Sequence, residues 1–181
     1  MHRTHKIRIY PNATQTKALY RLSGCIRYAY NWMLAKAIED REQGLKWDRY
    51  AIHKAYLQHA KTVPFLQDVS KTLVGQTASD NIDNAFARFL GKTAKFPKFH
   101  SKRRGVESIL AFAQYIEYDA DNQKIRLPLL GWLKMAVPLR YFYTKLCCAR
   151  ISCRAGKWFC SIVVEVDDDR KMSSPRTDYW Y

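Results

Sequence analysis

The sequence predicts an α+β fold, and three observations along the chain carry that prediction. Strand-like alternation opens it, long stretches of helical periodicity fill its middle, and short apolar runs between turn residues close it. A lone strand is not stable, so the first is expected to pair with the last ones. The helices then become an insertion into one small antiparallel barrel or sandwich.

The elements follow in order. Lys6-Ile7-Arg8-Ile9-Tyr10 alternates polar and apolar, and Pro11-Asn12 ends it. Thr14 can then cap a long helix. Leu19, Leu22, Ile26, Ala29, Met33 and Ala37 recur at three- and four-residue spacing, a buried stripe running to about residue 42, with Gly44 as the stop. A second helix is expected from about Asp48 to Thr62, turning Ile52, Ala55, Tyr56 and Ala60 inward before Pro64. A third runs from about Ser70 to Leu90, marked by Leu73, Ile82, Phe86 and Phe89. Beyond the basic stretch after Gly91, strands are expected at Ile109–Tyr115, Lys124–Leu127, Leu133–Val137, Cys147–Arg154 and Trp158–Val166. Asp119–Asn122, Pro128, Gly131, Pro138 and Gly156 punctuate them.

Composition narrows the partners. A chain of 181 residues that is 48% apolar can bury a core, and its net charge of +15 points to a polyanion. No long apolar run or basic amphipathic helix argues for a membrane. The polar start MHRTHKIRIYP does not read as a secretory signal. Cys25, Cys147, Cys148, Cys153 and Cys160 form no CxxC pair and read as reduced, mostly buried thiols. His2, His5, His53, His59 and His100 are scattered, so neither a metal nor any other cofactor is expected.

The segment KTAKFPKFHSKRR, residues 92–104, is the clearest functional signal. Its cations Lys92, Lys95, Lys98, Lys102, Arg103 and Arg104 are unopposed by any acid. Phe96 and Phe99 interleave with them, as flat faces for bases or as anchors, Pro97 stiffens the run, and His100 adds a donor. These features read as a phosphate-binding loop, with Lys6 and Arg8 nearby if the first strand joins the barrel. On the first helix Arg27 and Asn31 lie four apart on one face, suited to a phosphate or to capping a neighbour, while Tyr30 and Trp32 suit packing. On the third, Gln76, Ser79, Asp80, Asp83 and Asn84 form a polar face opposite Phe86 and Phe89, and Gln76 is a residue type that reads base edges. Catalytic constellations are not found. Asp167-Asp168-Asp169 lacks a distant partner carboxylate and reads as part of a polar tail, residues 167–181.

KIRIYPNATQ followed by GCIRYAYNWML resembles the N-terminus of the TnpB family, the OrfB-type transposon proteins of IS200/IS605 and IS607 elements, related to type V CRISPR nucleases. QTASDNIDNAFARFL is similar to that family's third recognition-lobe helix, and FPKFHSKRRGVESI to its basic loop. IRLPLLGWLKMAVPLR and GKWFCSIVVEV match the strands that follow, so the resemblance covers about residues 6–166 in the family's order.

The resemblance implies an oligonucleotide-binding-like β-barrel, the wedge domain, interrupted by a helical recognition lobe. Residues 1–12 and 92–166 would form the barrel and its basic loop, and residues 13–91 the lobe. It further implies a guide RNA from the transposon end and duplex DNA carrying a short adjacent motif. Lys98, Lys102, Arg103 and Arg104 would then approach the RNA backbone, and Gln76 the motif DNA. After the VEV strand the family continues into a RuvC-like, RNase H-type nuclease domain, where SSPRTDYWY stands here. The expectation is a cytoplasmic, nucleoid-associated binder that does not cleave, its alternatives being an RNA-independent DNA-binding regulator, a subunit completed by a separate nuclease chain, or the product of a decayed element.

Overall fold

The computed structural model describes residues 1–139 and 143–166, apart from the Arg104 side chain. The tail call at Asp167–Asp169 lies outside the described residues. Two compact units emerge: Ala13–Leu110, and Met1–Asn12 with the chain from Ala111 onward.

The helical unit rests on α1 (Ala13–Glu42), α2 (Arg49–Ala60) and α3 (Lys71–Leu90). Leu19, Leu22, Ile26, Ala29 and Met33 are buried as their spacing predicts, while Ala37 is only half-buried. Cys25, Tyr30 and Leu34 are buried too, widening the stripe because α1 packs against both other helices. Asp48 caps α2, accepting from the Tyr50 and Ala51 N–H groups at 2.8 and 3.1 Å, and Ser70 caps α3, accepting from Leu73 at 3.2 Å. Gly44, at φ 79°, turns the chain at the end of α1, where few side chains but glycine fit.

The other unit is a seven-stranded sheet. Its strands are β1 (His2–Tyr10), β2 (Ile109–Phe112), β3 (Glu117–Asp119), β4 (Lys124–Leu127), β5 (Gly131–Met135), β6 (Lys145–Arg154) and β7 (Lys157–Glu165). The order is β2-β6-β7-β1-β5-β4-β3, antiparallel at each described register. The first strand therefore lies in the middle, paired with β7 along most of its length and with β5 at its end. Ile7, Ile9, Ile125, Leu133, Met135, Ile151, Cys160 and Ile162 share the buried face.

Several expectations change. Thr14 lies inside α1 rather than capping it, and Gly131, expected to punctuate the strands, opens β5, which ends at Met135 rather than Val137. The described strands form an open sheet rather than a closed barrel, since closure requires the two edges to pair. The edges are β2 and β3, only four and three residues long, with few ladder groups to offer. The expected strand Ile109–Tyr115 stops at Phe112, where Ala113–Tyr115 winds into a 3-10 turn. Glu117–Asp119, outside every expected strand, is a strand of its own paired with β4, and Asp119, expected to open a turn, ends it by accepting from the Asn122 N–H at 3.0 Å.

Candidate nucleic-acid interface

The basic loop is held on the helical unit by its uncharged members. Pro97 is buried, and Phe96 stands edge-on to Phe86 and Phe89, with ring centroids 5.8 and 5.3 Å away. The His100 ring stacks on Tyr30 at 3.8 Å, nearly parallel. Asn31 grips the same residue by its backbone: its Nδ2 donates to the His100 carbonyl at 2.9 Å, and its Oδ1 accepts from the His100 N–H at 2.7 Å. His100 Nδ1 lies 3.0 Å from Glu107 Oε1, within ion-pairing distance but off the angle of a hydrogen bond. Further on, the Glu107 N–H donates to Ser23 Oγ at 2.7 Å, and Thr77 Oγ1 bonds both the N–H and the carbonyl of Leu110 at 3.2 Å. Between these anchors Lys95, Lys98, Lys102 and Arg103 remain exposed.

The loop and α1 enclose a groove of about 590 Å³ lined by Tyr20, Arg21, Ser23, Arg27, Lys102, Gly105 and Val106. Arg21 is ion-paired with exposed Asp68 at 2.8 Å. Arg27 and Lys102 have no ion-pair partner among the described residues. Gly105, at φ 105°, bends the loop where a side chain would be strained. Two arginines six residues apart on one helix, with a lysine lining the same groove, suit a phosphate backbone.

The outer face of the sheet supplies a second basic surface. The registers set Lys6 beside Ser161 with Arg150 one strand further, Arg8 beside Phe159 with Ser152 beyond it, and Tyr10 beside Lys134 with Lys124 beyond. Arg126 sits beside Trp132 and ion-pairs with Glu117 at 2.9 Å. Lys6 Nζ lies 4.8 Å from the Phe159 ring centre, and the Arg8 guanidinium 5.0 Å from that of Tyr10. Such interleaving gives bases rings to stack on and phosphates cations to meet.

The sequence-singled residues thus fall into separate groups. Arg27 and Lys102 meet in the groove, Asn31 and His100 meet each other, and Lys95, Lys98 and Arg103 stand exposed on the loop. Lys6 and Arg8 belong to the other unit, and the Arg104 side chain lies outside the described residues. The Gln76 side-chain carbonyl is buried without a hydrogen-bond partner. Its polar face is largely occupied as well: Asp83 accepts from Trp47 Nε1 at 3.2 Å and from Arg49 at 3.1 Å, Ser79 bonds His53 at 2.8 Å, and Asn84 donates to Asp80. Sequence reasoning passed over Tyr20 and Arg21, nearly two helical turns before Arg27 on α1. It also missed Lys124, Arg126, Lys134 and Arg150, although period-two alternation within each strand was the signal that could have found them.

Among the described residues no group of three or more His, Cys, Asp or Glu side chains is placed to hold a metal ion, and no helix is long and apolar enough to cross a membrane.

Residues 1–46, spanning β1, α1 and the turn at Gly44, match the family model HTH_OrfB_IS605, a helix-turn-helix domain. Over 163 residues the chain is 29% identical to the "Putative RNA-guided DNA endonuclease InsQ" of Escherichia coli (strain K12), covering 88% of this chain and 40% of that protein. Over 182 residues it is 29% identical to a "Putative RNA-guided DNA endonuclease" of Streptomyces pristinaespiralis, covering 90% of this chain and 41% of that protein. The chain thus spans about two-fifths of the length of these curated relatives.

Proposed function

From its kinship with the OrfB-type, TnpB-like transposon proteins, we propose that this chain is the nucleic-acid-binding part of an RNA-guided DNA endonuclease of that kind. In this reading it holds a guide RNA made from the transposon end and recognises a short motif on duplex DNA, and it does not itself cleave. The groove where Arg27 and Lys102 face one another is the observation that carries the proposal. A docked loop presents its charges in fixed positions, and preorganised donors lose little entropy on binding. The chain from Lys92 to Val166, with residues 1–12, acts as the wedge-like platform, residues 13–91 as the recognition lobe, and residues 167–181 as a tail. Its place is with nucleic acid in the cytoplasm.

Salt dependence tests the reading. The log–log slope of affinity against salt is about −0.9 per duplex phosphate contact and about −0.7 per single-strand contact. Arg27→Gln and Lys102→Gln should each shallow the slope by about one contact. Affinity that does not change with salt would overturn the proposal.

The match to a helix-turn-helix domain favours a second reading, a DNA-binding regulator that needs no RNA. Binding of one defined duplex, unchanged by ribonuclease treatment, would decide for it. Co-purification of one discrete RNA mapping to a transposon end would decide against it.

A further inference from the structure

Beyond the groove, the helical unit carries an aromatic cleft. Gly44 closes α1 with N–H bonds from Gly44 to the Arg41 carbonyl and from Leu45 to the Asp40 carbonyl, at 3.0 and 2.8 Å. The segment that follows bounds, with the end of α3, a cavity of about 490 Å³. Trp47, Phe86, Phe89 and Phe96 wall it, and its exposed lining includes Leu45 and Leu90. These rings are fixed. Trp47 Nε1 donates to Asp83, its ring lies 4.6 Å from that of Phe86, and Phe96 stands edge-on to two phenylalanines. The Arg41 guanidinium lies 5.7 Å from the Phe96 ring centre, and Lys46 lines the same cavity. Neither cation is in an ion pair among the described residues. A smaller cavity of about 340 Å³ shares Arg41 and Phe96, so the cleft continues past that pair, where Glu42 supplies its one carboxylate.

We propose that this cleft takes an unstacked base of a single-stranded nucleic acid, with Arg41 and Lys46 meeting the phosphates on either side. The proposal rests on the nucleic-acid-binding reading above. The volume falls within the range of ligand pockets, about 300–1,000 Å³. Flat, preset walls match a planar ring, because every base has a face to stack and stacking tolerates sequence. The two unpaired cations give charge complementarity to a polyanion, whereas an apolar helix from a protein partner would leave them facing a greasy surface.

The test uses the full chain and a single-stranded oligothymidylate of about ten nucleotides in two forms, one with 2-aminopurine at its centre and one abasic there. Stacking should quench the 2-aminopurine fluorescence, and the abasic strand should bind roughly fivefold to a hundredfold more weakly. Phe89→Ala should erase that difference, and Phe89→Leu, which keeps the apolar packing, should erase most of it. Arg41→Gln should weaken both strands alike. Equal binding of the two strands, or a difference that survives both Phe89 variants, overturns the cleft proposal and leaves salt-dependent binding intact. Binding of neither strand overturns the cleft proposal too, and the nucleic-acid reading then stands or falls on the salt dependence of RNA and duplex binding.

Discussion

Asn31→Ala separates a residue that holds the basic loop from one that touches phosphate. In the structure both ends of the Asn31 amide are committed to the backbone of His100, at 2.9 and 2.7 Å. A net contribution of about 0.5–1.5 kcal/mol per hydrogen bond gives about 1–3 kcal/mol for the pair. The bonds are part-buried, so water can replace some of their value, and the lower half of that range is expected. The urea midpoint should fall accordingly, with the slope of the transition unchanged. Hydrogen exchange at the His100 amide should speed by roughly tenfold per 1.4 kcal/mol lost. Affinity should fall less, because only the undocked fraction of loops is lost to binding, and the stack on Tyr30 and the Ser23–Glu107 bond still hold the loop. Asn31→Asp keeps the acceptor for the His100 N–H but loses the donor, so it restores at most one of the two bonds. The opposite pattern refutes the reasoning: an unchanged midpoint and unchanged His100 exchange together with a large loss of affinity would put Asn31 on the ligand.

Other expectations are as direct. Gly75→Ala places a Cβ 3.1 Å from the fully buried Tyr56 ring and 3.2 Å from His53. The overpacking of about 1–3 kcal/mol should outweigh the roughly 1 kcal/mol gained in helix propensity, and a raised melting temperature would contradict this. Burial, with Arg49 adding to it, pushes His53 below its ordinary value of 6.5. The folded state therefore binds fewer protons than the unfolded one just below that value, so stability is present above about pH 6.5 and lost as pH falls through the window beneath it. His53→Gln should lack this component, and identical pH profiles for the two proteins would exclude it. Burial raises the Cys25 thiol and lifts Cys160 to about 12. Both should resist a disulfide reagent at neutral pH until the chain unfolds, while half-buried Cys147, Cys148 and Cys153 react first. Prompt modification of all five in native protein would contradict that burial.

Much of the fold was legible because it follows from local periodicity. The stripe on α1, the starts of α2 and α3 near Asp48 and Ser70 and the alternation of β1 each sit within a few residues of their own cause, and β1 found its partners because a lone strand cannot stand. Strand ends were less legible, since Ala113–Tyr115 carries strand-like residues yet winds into a turn once β2 has run out of ladder. The site was legible in its charges but not in its anchors. Sixty-nine residues separate Asn31 from His100, and eighty-four separate Ser23 from Glu107. A side-chain amide that grips a distant backbone leaves no periodic trace, because the contact exists only after α1 and the loop have packed.

The same physics explains the order of residues within the loop. Phe96, Pro97 and His100 turn toward the helices, while Lys95, Lys98, Lys102 and Arg103 stay in solvent. Self-repulsion among unopposed cations would drive such a segment away from a compact state, and apolar anchors interleaved with the charges offset it. A loop of charges alone would remain a flexible arm and bind phosphate only after ordering itself. Interleaving places that ordering cost in folding, before any ligand arrives. Replacing Phe96 and His100 together by serine removes no Lys or Arg. It should nevertheless weaken oligonucleotide binding by more than Lys98→Gln, measured side by side at one salt concentration. If the single charge change proves the more costly, binding depends on the number of cations and not on how the loop presents them.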